Sequence, residues 1–447
     1  MLYIKNGTII DPEGDELYPA DLWVADGKIL KIVKREETSN QKDSEKLKES
    51  VSGMDIDTES LAAEEAEVID ASGMLIAPGL ADVHVHFRDP GFTYKEDIFT
   101  GAAAAAAGGF TEIVLMANTK PCVDNEETLA YVLEKGKQTG IHIGTCVNVT
   151  RAMGGKELVD MTLLAEKGAA GFTDDGIPIV DETLVKQAME KAAELGKPIS
   201  FHEENPALIT NNGVNAGKAS AFYGIGGSPR EAEISLVERD LKLALETGAD
   251  VVIQHISSKE AVELVRKAKA VGGRVHAEGT PHHFTLTEEA VIAKGTLAKM
   301  NPPLREEADR LAVIEGLKDG TIDMIATDHA PHSKEEKAKG ITEAPSGIIG
   351  LETALSLGIR ELVQKGYLTW PELLCRMSTA PCKLYGLDGG CIKEGTSASL
   401  LIFHPEETWK VKSFASKAEN SPFIGEELPG VVYYTICDGN IVYKRER

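Results

Sequence analysis

Paired cysteines are missing from this sequence. The six it has (Cys122, Cys146, Cys375, Cys382, Cys391 and Cys437) are scattered, with no CxxC pair. That argues against a disulfide framework and against a thiolate zinc knuckle, and it fits a reducing cytoplasm. Long apolar runs are missing too. The run at 101–109 is mostly alanine and too short to cross a bilayer. The opening Met1-Leu2-Tyr3-Ile4-Lys5-Asn6-Gly7 has neither the basic nor the apolar region of a signal peptide. Positive charge is scarce: 47 Lys and Arg stand against 71 Asp and Glu, a net charge of −24. Such a surface repels phosphate backbones, which argues against nucleic acid as a partner. An anionic substrate would need local positive charge, from a metal ion or an arginine.

What remains is ordinary globular material, 42% hydrophobic and 26% charged. Short strand signals fill the first 33 residues, with Asn6-Gly7 and Asp26-Gly27 reading as hairpin turns. Strand candidates return at 399–403 and 431–443, with Asp438-Gly439 as a turn. The two ends are expected to pair into a small β-sandwich. Residues 35–67 carry eleven acidic and four basic residues and no aromatic, which reads as a solvated insertion or surface helix.

Between the ends, strand and helix patterns alternate. Strand candidates fall at 74–86, 112–117, 141–147, 169–173, 198–202, 250–255, 274–278 and 321–328. Helical stretches lie at 96–107, 126–139, 156–167, 181–195, 230–247, 259–270 and 305–317. Alternation implies a parallel sheet, and eight units imply a closed (β/α)8 barrel. An open doubly wound sheet is disfavoured, because no Gly-rich dinucleotide loop follows the first strand. The expected division is residues 1–72 (first part of the sandwich, with the acidic insertion), 73–388 (barrel) and 389–447 (second part of the sandwich).

Barrel active sites sit where the strands end. The polar residues there are His84 and His86, Asn118, Thr173-Asp174-Asp175, His202, His255 and Asp328. Side chains alternate along a strand, so His84 and His86 face the same way and can share one ion. A lone HxH says little; histidine or carboxylate at several strand ends says much more, since both ligate zinc-like ions. Four histidines with one or two carboxylates exceed the needs of one tetrahedral ion and suit a two-metal site with a bridge. Asp174 or Asp175 could bridge, although Asp175-Gly176-Ile177-Pro178 is also good turn chemistry. Asp328 beside a metal-bound water could move protons. Arg88, two residues past His86, suits a bidentate hold on a substrate carboxylate. His332 sits farther along the eighth loop, where substrates are contacted. His276, His282 and His283 carry no assignment, and His142 and His404 read as surface or packing residues.

Together these stretches form a pattern. Asp82-Val83-His84-Val85-His86-Phe87-Arg88-Asp89-Pro90-Gly91, Met116-Ala117-Asn118-Thr119, Phe172-Thr173-Asp174-Asp175-Gly176, Met300-Asn301-Pro302-Pro303-Leu304-Arg305 and Ala326-Thr327-Asp328-His329-Ala330-Pro331-His332 resemble the amidohydrolase superfamily. More closely they resemble the class I bacterial dihydroorotases, from about residue 70 to 440. The resemblance implies two zinc ions per subunit, held by His84, His86, Asp175, His202, His255 and Asp328 and bridged by Asp175 and a hydroxide. It makes Asp328 the catalytic acid/base. It gives substrate binding to His86, Arg88, Asn118, Asn301, His332, Ser346 and Gly347. It implies reversible hydrolysis of L-dihydroorotate in pyrimidine (UMP) biosynthesis, a homodimer, and association with aspartate carbamoyltransferase. Hydantoinases and their neighbours bridge their metals with a carboxylated lysine at the fourth strand; here that stretch holds Asp174 and Asp175 and no lysine. Two departures stand out: Ala117, where proline is usual, and the acidic insertion. Two rivals follow, a hydantoin- or allantoin-cleaving relative and an inactive scaffold subunit.

Overall fold

A computed structural model describes residues 1–35 and 66–446. The acidic insertion lies almost wholly outside the described residues. The chain begins with strands β1 (Leu2–Asp11), β2 (Glu16–Ala25) and β3 (Lys28–Lys34), then β4 (Glu67–Asp70) and β5 (Leu75–Pro78). The barrel strands follow: β6 (Leu80–Val85), β7 (Phe110–Leu115), β8 (His142–Thr145), β9 (Phe172–Thr173), β10 (Ile199–Phe201), β11 (Val251–Ile253), β12 (Val275–Gly279) and β13 (Met324–Ile325). The chain closes with β14 (Leu400–Lys410), β15 (Glu427–Cys437) and β16 (Asn440–Lys444).

All eight barrel strands are parallel to their neighbours. β6 to β8 form one run and β9 to β13 another. Val147 bridges to Phe172 across the first seam, and Val85 to His329 across the second, so the barrel is closed. Helices cover it by burying one stripe each. The helix Glu182–Leu195 shows how. Asp181 caps its first turn, Gly196 ends it at φ 62°, and Leu184, Val185, Ala188, Met189 and Ala192 form its buried face.

The two chain ends share one sheet. β5 pairs in parallel with β1 and antiparallel with β14. Alternation divides its residues between two cores. Ile76, Leu400 and Ile402 join Leu2, Ile4, Leu22 and Val24 in a cluster drawn almost wholly from this sheet. Leu75, Ala77, Leu401 and Phe403 face the barrel instead. The sheet thus curls over its own inner face, which is the β-sandwich expected from the chain ends.

Two local expectations need correction. The strand expected at 74–86 is two strands, since the part before Gly79 belongs to the terminal sheet. A Cβ at Gly79 would lie 2.2 Å from Thr111 Oγ1, so only glycine lets the chain pass from sheet to barrel there. Asn6-Gly7 is not a hairpin. It is a bulge inside β1, with Asn6 at φ 65°. Asp26-Gly27 and Asp438-Gly439 do turn hairpins, both residues of each pair having positive φ.

Candidate metal centre

The mouth of the barrel holds a cavity of about 120 Å³. His86, Arg88, Asn118, Asp175, His202, His255, Asn301, Asp328, Ser346 and Gly347 line it, with Gly176 and Ala330. His84 lies just beneath, fully buried. Of the expected ligands and substrate contacts, all but His84 and His332 line this cavity.

Local backbone aims several of them. The β6–β7 pairing slips between Asp82 and Val85, with His84 inside the slip and His86 just past it, ring centroids 5.5 Å apart. Phe87 then turns away into a niche that Gly101 leaves open, since a Cβ there would be 2.3 Å from its ring. Arg88, His255 and Asp328 have φ of 60°, 30° and 49°. Such conformations cost about 1–3 kcal/mol each and persist only where the surroundings over-determine them.

Asp175 is the hub. Its Oδ1 faces His84 Nε2 at 3.4 Å, His202 Nδ1 at 3.8 Å and His255 Nε2 at 3.9 Å. Its Oδ2 faces His86 Nε2 at 3.4 Å and accepts from Asn118 Nδ2 at 3.0 Å. Asp328 Oδ1 lies 3.1 Å from His86 Nε2 and 3.6 Å from His84 Nε2. Asp174 does not share this role. Its carboxylate caps the loop after β8, accepting from Val149 and Thr150 N–H and from the Asn148 amide.

The donor set fits divalent metal. His84, Asp175 and His255 form one group, and His84, His86 and Asp328 another, with the ligand atoms of each group within 4.8 Å of one another. His84 Nε2 and His255 Nδ1 are buried with no hydrogen-bond partner, which is costly unless a ligand engages them. Burial opposes charge on His84, yet Glu278 and Asp175 hold it well above the usual imidazole range. Burial likewise opposes charge on Asp175, and His84, His86 and His202 hold it well below the usual carboxylate range. Burial, then repulsion from His202 and His84, pushes His255 well down, into the neutral form that ligates metals.

Three further carboxylates, with no signal of a metal motif in the sequence, support these side chains. Glu278, on β12, holds His84 Nδ1 at 2.8 Å and so fixes that ring. Glu204 holds His202 Nε2 at 3.1 Å. Asp82 ties β6 to the eighth strand end through Thr327 N–H; burial pushes its carboxyl up to about 7. Glu278 does carry a positional signal: it ends the seventh strand candidate.

The substrate candidates divide. Arg88 Nε donates to the Pro331 carbonyl at 3.3 Å, which holds the guanidinium at the cavity wall. Asn301 Oδ1 is buried without a partner. Asn118 is already engaged, with His86 Nδ1 2.9 Å from its Oδ1. His332 Nε2 is committed to the Ser346 carbonyl at 2.8 Å, and His332 does not line the cavity. Among the unassigned histidines, His276 faces Asp250 and Asp323 at 3.4 and 3.7 Å, and His283 spans Thr280 and the Pro302 carbonyl.

A closed barrel with a histidine–aspartate mouth and a terminal β-domain defines a hydrolase of the amidohydrolase type. Comparison with known proteins narrows this. Residues 73–261 match a family model described as Dihydro-orotase-like. A dihydroorotase of Clostridioides difficile (strain 630) is 54% identical over 443 residues, 99% of this chain and 100% of that one. A dihydroorotase of Clostridium acetobutylicum is 48% identical over 99% of this chain and all of its own length. Among solved structures, an L-hydantoinase (dihydropyrimidinase) from Arthrobacter aurescens superposes with a TM-score of 0.85 at 25% identity, covering 100% of this chain and 96% of that one. The chain belongs to the dihydroorotase family.

Proposed function

We propose that this chain catalyses reversible hydrolysis of L-dihydroorotate to N-carbamoyl-L-aspartate in de novo pyrimidine biosynthesis, using two zinc ions per subunit. The observation that carries this reading is Asp175. Its Oδ1 faces His84, His202 and His255 and its Oδ2 faces His86, at the strand end where hydantoinases use a carboxylated lysine. His84, His86, His202, His255 and Asp328 would complete the ligand set. When bound, the ions supply Lewis acidity, acidifying water and polarising a carbonyl.

The chain's own residues supply the rest. The Asp328 carboxylate takes the proton of the attacking water and returns it to the ring nitrogen as the C–N bond breaks. Arg88 pairs with the substrate carboxylate, which explains a half-buried arginine at the cavity of a strongly acidic protein. Burial pushes Arg88 below its ordinary value while Asp328 and Asp175 pull it back, and a guanidinium stays charged throughout. Asn301 and the Ser346-Gly347 backbone contact the ring. Asn118 and His332 join them by exchanging bonds they already make.

Metal analysis paired with a dihydroorotate assay tests the proposal. Two zinc ions per chain and turnover are expected. Cleavage of hydantoin with none of dihydroorotate would overturn the substrate. Protein that binds no zinc, or stays inactive with zinc added, would make it a scaffold subunit. The proposed setting is the cytoplasm; no helix among the described residues is long and apolar enough to cross a membrane. A homodimer, and association with aspartate carbamoyltransferase, rest on the family resemblance. Light scattering with and without that enzyme checks both.

A further inference from the structure

We infer that His142, Cys437 and Asp438 form a separate site for one thiophilic divalent cation such as zinc, at the floor of the barrel. His142 opens β8, so it sits at the strand ends opposite the mouth. Cys437 ends β15, and Asp438 begins the turn into β16. A ring nitrogen, the thiol sulfur and a carboxylate oxygen from these three lie within 4.8 Å of one another.

Four observations support a ligand here beyond an ion pair. First, the imidazole is oriented as ligating histidines are. Nε2 lies 2.7 Å from Asp438 Oδ2, while Nδ1 is held at 2.5 Å by Oε1 of the buried Glu112. A carboxylate on the far nitrogen fixes ring and tautomer. Second, the other Asp438 oxygen accepts from Ser397 Oγ at 2.6 Å, so this carboxylate is also set in place. Third, a buried thiol converges on the same point, which pairing between histidine and carboxylates does not require. Fourth, the carboxylates of Glu112 and Asp438 face one imidazole, and their two charges exceed the single one an imidazolium can balance.

Sulfur, imidazole and carboxylate together select zinc-like ions over magnesium or calcium. Access is open. His142 and Asp438 are partly exposed, and Glu112, His142, Cys437 and Asp438 line a cavity of about 670 Å³ with room for a fourth ligand. An ion here would tie barrel strands β7 and β8 to the closing hairpin, which lies 296 residues further along the chain.

Loading the metal-free protein with cobalt(II) tests this, because the ligands proposed at the mouth include no cysteine. A near-ultraviolet thiolate-to-cobalt charge-transfer band reports the floor site alone. The band is expected in the parent protein and in Cys382→Ser. It should vanish in Cys437→Ser, together with one zinc per chain, while dihydroorotate turnover persists as evidence of folding. Glu112→Gln keeps all three ligands and should weaken cobalt binding at this site by about 10–100-fold. No band in the parent, or a band that survives Cys437→Ser, would overturn the site. Should Cys437→Ser fail to fold, an unchanged cobalt affinity in Glu112→Gln would overturn it.

Discussion

In the terminal sheet the buried face is apolar throughout: Leu2, Ile4, Ile9, Leu22, Val24, Ile76, Leu400 and Ile402 pack together. At the barrel mouth the buried side chains are imidazoles and carboxylates: His84, His86, His202, His255, Asp175 and Asp328 are all buried. The sheet gains stability from area removed from water, roughly 25 cal/mol per Å² of apolar surface. The mouth pays for desolvation and for strained backbone, and balances charge only by mutual contact. One region holds the chain together; the other depends on that stability and spends it on a preorganised donor set.

Substitutions should separate the two regions cleanly. The largest effect is expected for Asp328→Ala, which would remove both the proposed proton carrier and a proposed metal donor. Turnover should fall by about 10³-fold or more, with an unchanged circular dichroism spectrum. Retained activity would break the proposed role. Glu278→Gln comes next. It leaves a neutral isostere beside His84, so zinc affinity should drop by about 10–100-fold, read by competition with a chelator. Arg88→Lys keeps the charge but loses the planar fork. We expect kcat/KM for dihydroorotate to fall by about tenfold, mostly through KM, on the scale of one charged hydrogen bond. The smallest effect belongs to the sheet. Ile4→Val should cost about 0.5–1.5 kcal/mol in denaturant melts and leave kcat untouched. A change in kcat there would show that the two regions are coupled.

The same contrast explains what could be read in advance. The (β/α)8 alternation was legible because each strand and helix repeats its own period over several residues. That these residues gather was legible because a strand end is a place in the chain, and His84, His86, His202, His255 and Asp328 occupy such places. Glu278 was overlooked although it stands at a strand end. It touches no open cavity, and its partner His84 is 194 residues away. The bulge at Asn6-Gly7 was misread because its dipeptide is that of a hairpin; pairing with β2 on both sides of it decides the matter. Asp174 and Asp175 are adjacent and chemically identical, so only the loop that wraps Asp174 tells them apart.

The sequence by itself determined the barrel, the paired chain ends and the chemistry of the donors, because periodicity and side-chain type are local properties. Only the tertiary structure decided which aspartate is the hub, which carboxylates steady the histidines, and that Cys437 meets His142. Those are contacts between residues far apart in the chain, or choices between neighbours. They exist only once the barrel closes and the terminal sheet folds against its floor.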